Sequence, residues 1–324
     1  MVLLFHGRRI YANRRVRNKP QGGIRGDRVS PLSLDKRQNS DFAILSKLKI
    51  TKSQYTKIVI SRFLYIFVTE TKHCDMKIIS IINHKGGVGK TTTAVNLSVG
   101  LARLGKKVLV IDLDAQTNLT YNLGFDIEGK TIYNAIRGEI NSLPIYSTTI
   151  ENLSIVPAHL NLGMVEMEIY QKKGNEYILK RLIDEQRPNY DYIVIDCPPS
   201  ISLLTFNALI ASTDVVIPIE ADGFALHGIV KLGSVIEQIK SNLNTQLKIL
   251  GLLITKFDKR KTLSREVENI LQLSPQYNIL KPAIRVNVSL SEASLNRQDV
   301  FSYAPKSTGA EDYLELTQNI IDYE

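Results

Sequence analysis

Cysteine and histidine are scarce in this chain of 324 residues, with 2 and 5 copies. Cys74 and Cys197 allow no disulfide framework, and with the scattered histidines they make no four-ligand zinc constellation. So few thiols suit the cytoplasm. A long apolar run is missing as well. The strongest, Ile58 to Val68, is interrupted by Arg62 and falls short of the roughly 20 residues that a membrane span needs. It also lies too late, with no small-residue cleavage site, to be a secretory signal. No internal repeat is visible, and low complexity is confined to an arginine-rich start.

Charge is easily misread here. The chain carries 41 Lys+Arg and 32 Asp+Glu, for a formal net charge of +9. Taken whole, that excess suggests a nucleic-acid-binding surface. Yet residues 1–75 hold 16 Lys+Arg against 5 Asp+Glu, whereas residues 76–324 hold 25 against 27. The basic excess belongs to the N-terminal segment. Within it, residues 8–28 are rich in arginine and glycine with little apolar periodicity, which predicts disorder. The segment 1–75 reads in three ways: an accessory DNA- or partner-binding arm, a helix-turn-helix domain too degraded to see, or upstream sequence read in frame before a start at Met76. Met76 stands immediately before the first strand of a complete domain, which sets the division into 1–75 and 76–324.

What the chain does have begins at residue 84. His84-Lys85-Gly86-Gly87-Val88-Gly89-Lys90-Thr91-Thr92 is a phosphate-binding loop with His84 where the standard pattern has its first glycine, and with a second lysine, Lys85. Gly86, Gly87 and Gly89 let backbone N–H groups turn inward around phosphate oxygens. Lys90 supplies a point charge to the β/γ-phosphates, and the Thr91 hydroxyl is placed to ligate Mg²⁺. The flanks agree. Residues 76–83 read as a buried strand, 93–104 as a helix ended by Gly105, and Val108-Leu109-Val110-Ile111 as the next strand. Together they form a βαβ unit with phosphates at the helix N-terminus.

Two later strands end in acids. Asp112 and Asp114 follow the second strand, where ligands gather in parallel sheets; one can help hold the Mg²⁺ shell while the other orients a water for attack. The run 191–196 ends in Asp196, at the Walker-B position for Mg²⁺. Cys197 beside it reads as a small buried hydrophobe. Strands over 214–220 and 247–255 and helices near 201–212, 225–240, 262–272 and 308–322 continue the alternation. The pattern predicts an α/β fold of the P-loop NTPase type: a mostly parallel twisted sheet with helices on both faces.

Lys85 through Thr92, Asp112-Leu113-Asp114-Ala115-Gln116, Asp196-Cys197-Pro198-Pro199-Ser200 and Ser291-Glu292-Ala293 together resemble the ParA/Soj family of DNA-partitioning ATPases, in the deviant Walker-A group. The likeness runs from Met76 to about Tyr323. It implies ATP and Mg²⁺ as cofactors, and a homodimer in which two subunits sandwich two ATP molecules. Lys85 of each subunit would cross to the partner's phosphates. The resemblance further implies nonspecific DNA binding by the ATP dimer, slow hydrolysis stimulated by a ParB-like centromere-binding protein, and a place in the cytoplasm on the nucleoid. The catalytic set is then Lys85, Lys90 and Asp114, with Asp114 polarising the water. Nucleotide is held by Lys85, Gly86, Gly87, Val88, Gly89, Lys90, Thr91 and Thr92, and the metal by Thr91, Asp112 and Asp196.

Some positions depart from the family. The usual D-P-Q-G-N reads Asp114-Ala115-Gln116-Thr117-Asn118, lacking the proline and glycine of the turn. Where many relatives carry DNA-binding arginines, this chain has Val286 and Ser289. Lys259, Arg260, Lys281 and Arg285 could form a phosphate-binding patch if folding gathers them. Thr255-Lys256-Phe257-Asp258 resembles a guanine-reading motif, although the family binds adenine between this loop and the segment holding Pro305. Asp258 and Pro305 are the expected base contacts, and ATP the expected nucleotide.

Three rival functions share the loop. A MinD-type membrane-positioning ATPase needs a basic amphipathic C-terminal helix, and this terminus is acidic. An electron-transfer ATPase like the nitrogenase iron protein needs paired cluster cysteines that Cys74 and Cys197 do not supply. A relative that positions a protein cargo on the nucleoid stays open. Intact mass of the natively expressed protein discriminates the readings of the first segment: a product beginning at Met76 is expected if that stretch is untranslated, and a mass including residues 1–75 rules this out.

Overall fold

The computed structural model describes residues 2–6, 9–13, 76–186, 189–222, 225–273 and 277–323. The chain divides into two units, Met1–His73 and Cys74–Glu324. In the first, β1 (Val2–His6) pairs antiparallel with β2 (Arg9–Asn13). Residues 9–13 of the arginine-rich stretch thus form a strand, with Ile10 opposite Phe5. The rest of that stretch, the apolar run 58–68 and Cys74 lie outside the described residues.

The second unit is built on an eight-stranded sheet in the order β10-β9-β8-β3-β7-β4-β6-β5. Its strands are β3 (Lys77–Ile81), β4 (Val108–Asp112), β5 (Tyr146–Ser147), β6 (Leu153–Val156), β7 (Tyr192–Asp196), β8 (Asp214–Glu220), β9 (Lys248–Thr255) and β10 (Ile279–Leu280). All pair in parallel except β5, which runs antiparallel to β6 at the edge. The predicted α/β architecture is observed. β4 and β7 are buried at every residue, as strands covered on both faces must be.

Side-chain alternation divides the interior into two cores. Ile78, Ile82, Ile193 and Ile195 point into one, and Ile79, Ile81, Tyr192 and Val194 into the other. Parallel register also levels the strand ends: Asp196 pairs with Ile81 on one side and with Asp112 on the other. Two carboxylates are thus set side by side at the carboxyl edge, Asp196 beside the end of the strand that leads into the glycine loop.

Helix α1 (Lys90–Arg103) follows the loop, and the short α2 (Asn118–Asn122) follows β4. Between β4 and β7 lie α3 (Ile132–Arg137), α4 (Leu162–Ile169) and α5 (Ile178–Asp184). Then come α6 (Leu203–Ala211), α7 (Ala225–Asn242), α8 (Thr262–Gln272), α9 (Val288–Leu295), α10 (Val300–Tyr303) and α11 (Thr308–Asp322). The acidic α11 buries Ala310, Tyr313, Leu316 and Ile320 in the same core as α1. Its apolar face is therefore covered by the protein, and no helix among the described residues is long and apolar enough to cross a membrane.

Contact between α1 and α11 is close. Tyr313 and Thr93 share a buried hydroxyl–hydroxyl bond of 3.1 Å. Gly100 faces Thr317, whose Oγ1 is locked on Tyr313 O at 2.6 Å, and a Cβ at 100 would press on that oxygen and lie 3.2 Å from Thr317 Cβ. Gly100→Ala is expected to destabilise the fold by about 1–3 kcal/mol despite alanine's better helix propensity. Urea unfolding measures this, and an unchanged midpoint would contradict the close approach.

Candidate active site

The loop between β3 and α1 is held open by side chains outside it. Asn83 Nδ2 donates to Pro218 O (2.8 Å), while Asn83 Oδ1 accepts from the Lys85 N–H (3.0 Å). Thr255 Oγ1 lies within hydrogen-bond distance of Val88 O (2.8 Å) and Ile219 O (3.1 Å), tying the loop to the ends of β8 and β9. Gly87 and Gly89 adopt φ of 74° and 87°, left-handed angles that favour glycine. Gly89 is the N-cap of α1, with no capping side chain and no acid in the first turn. The helix's first N–H groups are left for an anion.

Lys90 is 7% exposed, and its ammonium donates to Lys85 O at 3.1 Å. Burial pulls its pKa down, against the opposing pull of Asp196 and Asp114. Lys85 is placed differently. Its side chain is 40% exposed, and its amine turns to the carboxylate of Asp222 just beyond β8. One loop therefore presents one sunken and one outlying cation.

The three acids also divide. Asp196 is 1% exposed, and among the described residues neither carboxylate oxygen accepts a well-formed hydrogen bond, although the Thr91 hydroxyl lies near enough to act on it. Burial raises its pKa well above the ordinary range, Asp112 adds to the shift, and Thr91 opposes it. Asp112 is committed elsewhere: Oδ2 accepts from Thr120 N (2.9 Å) and Thr120 Oγ1 (2.7 Å), and Oδ1 from Asp114 N (3.2 Å). Burial pushes Asp112 up to about 6 even so. Of the expected metal residues, Asp196 and Thr91 fit a cation best, while Asp112 has most of its acceptor capacity engaged. Asp114 Oδ1 accepts from Gln116 N (3.0 Å), which shapes the turn. Thr117, standing where relatives have glycine, takes φ 57° itself, so the turn persists at some backbone strain. Among the described residues no cluster of three or more His, Cys, Asp or Glu makes an all-protein metal cage.

A cleft of about 610 Å³ opens beside Gly89 and Thr92, walled by Thr255, Lys256, Ile284, Arg285 and Val286 among others. Neither expected base contact is in its lining. Asp258 is bound by Arg260, with Oδ1 accepting from the Arg260 backbone N (3.0 Å) and Nε (2.9 Å) and Oδ2 from Nη2 (2.9 Å). This grip holds its carboxyl at about 2 and uses it to shape the turn into α8. Pro305 lies in the short turn between α10 and α11. The candidate DNA patch is also altered by pairing: Arg260 binds Asp258, Lys281 binds Glu268 (2.6 Å), and Arg285 binds Asp312 (2.6 Å). Three of those four cations pair with carboxylates of the same chain.

Sequence reasoning gave no role to Asn83 or Thr120, and it read Thr255 only as part of the possible guanine motif. Asn83 directly precedes the loop, and Asn, Asp, Ser and Thr at such junctions commonly bond nearby backbone. Thr120 gave no local signal, since its partners Asp112 and Ala158 lie 8 and 38 residues away.

The AAA domain family matches residues 76–249. The sporulation initiation inhibitor protein Soj of Bacillus subtilis is 42% identical over 248 residues, covering 75% of this chain and 98% of its own length. The chromosome-partitioning ATPase Soj of Treponema pallidum is 37% identical, covering 76% and 97%. The chain belongs to the Soj/ParA family of chromosome-partitioning ATPases. Among solved structures, the septum site-determining protein MinD of Pyrococcus horikoshii, complexed with Mg-ADP, has a TM-score of 0.64 at 27% identity, covering 76% of this chain and 96% of its own. Family membership accounts for the two-lysine loop and the parallel sheet with its acids at the carboxyl edge. Cys197, fully buried with its thiol pushed up by burial, is a core residue of this ATPase.

A raised carboxyl pKa means the folded chain holds its proton longer than the unfolded one, so Asp196 weakens folding as pH climbs above the ordinary carboxylate range. Asp196→Asn is expected to stabilise the nucleotide-free protein at pH 8 by about 1–3 kcal/mol, to flatten its loss of stability with rising pH, and to abolish the further rise caused by Mg²⁺ with nucleotide. Thermal unfolding at pH 5 and pH 8 checks this. A less stable variant that still responds to Mg²⁺ would contradict the assignment.

Proposed function

We propose that this chain is an ATP-driven dimer switch that partitions DNA. The observation that carries the reading is the contrast between Lys90, sunk beside Asp196 and Asp114, and Lys85, half-exposed and drawn to Asp222. Lys90 serves the phosphates bound by its own subunit. Lys85 reaches outward, and a cation so placed neutralises γ-phosphate charge when a second subunit docks over the nucleotide. Docking exchanges the Asp222 carboxylate for a phosphate, so Lys85 is never left without an anion.

The substrates of the site are ATP and Mg²⁺. Backbone N–H groups from Gly86 to Gly89 and the start of α1 hold the phosphates, Lys90 anchors the β/γ oxygens, and the cleft beside Thr92 takes the base. Thr91 and Asp196 hold Mg²⁺, which when bound neutralises charge on the β- and γ-oxygens. Asp114 orients the attacking water, and its Asx turn with Gln116 limits where the carboxylate can point. The ATP dimer binds DNA without sequence preference on the nucleoid, and a ParB-like partner stimulates hydrolysis and release. With Arg260, Lys281 and Arg285 paired internally, DNA contact falls mainly to other cations.

Three variants separate these roles. Lys90→Ala is expected to lower nucleotide affinity by about 100-fold or more, the scale of losing a buried charge pair. Lys85→Ala keeps nucleotide affinity but stays a single subunit in size-exclusion chromatography with ATP and Mg²⁺. Asp114→Ala forms the dimer, remains on DNA and hydrolyses about 100-fold more slowly. A stable ATP dimer of Lys85→Ala would overturn the in-trans role, and a wild-type chain that stays single with a nonhydrolysable triphosphate would overturn the switch.

A further inference from the structure

We propose that Thr120 is a positioning residue for hydrolysis, acting through Asp112 to fix the backbone that carries Asp114. The inference rests on the reading of Asp114 as the water-orienting group, and it extends that reading to a residue outside the lining of the cleft.

The geometry is a continuous relay. Thr120 is buried in α2, and both its backbone N–H (2.9 Å) and its hydroxyl (2.7 Å) donate to Asp112 Oδ2. The same hydroxyl accepts from the Ala158 N–H (3.2 Å), just beyond β6. Asp112 Oδ1 in turn accepts from the Asp114 N–H (3.2 Å). Two adjacent strand ends, a helix and the catalytic turn therefore meet at one hydroxyl and one carboxylate.

The turn needs such a clamp. It runs from Asp114 to Thr117, closed by a Thr117 N–H bond to Asp114 O (3.0 Å), and Thr117 sits at φ 57°. A β-branched residue in the left-handed region is strained and persists only where its surroundings over-determine it. With the Asp112 oxygens engaged by Thr120 and Asp114, Asp112 acts as the hinge pin of this turn. Removing the Thr120 hydroxyl would leave the Ala158 N–H without its partner and Asp112 Oδ2 with one donor fewer, in a site closed to water. The turn would then relax, and the Asp114 carboxylate would lose its aim while the phosphate loop, held separately by Asn83 and Thr255, stayed formed.

The test is steady-state ATP hydrolysis by the full chain, with DNA and partner present or absent. Thr120→Val keeps the shape and is expected to lower kcat about tenfold with KM for ATP within about twofold. Thr120→Ser keeps the hydroxyl and is expected to restore kcat to within about twofold. Nucleotide-binding stoichiometry normalises each rate to folded protein. Should Thr120→Val not fold, Thr120→Cys, with a weaker donor of similar shape, carries the same expectation of a lowered kcat at unchanged KM. A kcat for Thr120→Val near wild type, a Ser variant as slow as the Val variant, or a loss confined to KM overturns the proposal. Asp114→Ala measured alongside keeps the two readings apart: if it hydrolyses normally the water-orienting role fails, whereas a dead Asp114→Ala beside an active Thr120→Val sinks Thr120 alone.

Discussion

A buried carboxylate under the phosphate loop is the constraint around which this fold is arranged. Asp196 ends the central strand β7 with both oxygens buried and accepting no well-formed hydrogen bond, next to the sunken Lys90 and level with Asp112. A folded chain tolerates such a group only if the rest of the core is strong enough to carry it, or if a cation arrives. The two fully buried strands β4 and β7 and the core on each face of the sheet supply the first condition. A cation bound with nucleotide at this edge would meet the second, and would couple stability to binding through one side chain.

Around that carboxylate the loop separates its two lysines by burial. The shorter path, from the helix start, leads Lys90 inward among the acids, where desolvation is offset by their field. Lys85 lies earlier in the loop, fixed at its backbone by Asn83, with its side chain on the rim. Loop position alone gives the same residue type two different environments. The Asp112–Thr120 pair adds a third level, since an acid at the carboxyl edge can organise a turn instead of binding a metal.

Much of this was legible from local pattern. The glycine spacing of 86–89 and the apolar runs of β3, β4, β7, β8 and β9 are short-range signals, and the helices over 262–272 and 308–322 appear where their periodicity placed them. The region between β4 and β7 was harder. β6 is short, Leu153–Val156 with Pro157 after it, and β5 has two residues, so neither rises above a loop in sequence. Side-chain pairing was harder still. That Arg260 would grip Asp258, or that Arg285 would reach Asp312, depends on rotamers and on chain segments brought together by folding. The guanine-like motif and the basic patch both include side chains that pair within the chain. Thr117 shows the converse: the missing glycine suggested an altered turn, yet the surrounding contacts hold the residue in glycine's conformation.

Helix α11 joins the phosphate-loop helix through Tyr313 and Thr93, 220 residues apart in sequence, and its Asp312 holds the Arg285 that walls the cleft beside Gly89 and Thr92. The pocket is consequently finished by a late segment. On the ribosome, a nascent chain exposes the glycine loop long before the helix that braces it has been made. The brace of the phosphate-loop helix is therefore complete only once residues 220 positions further along have been made.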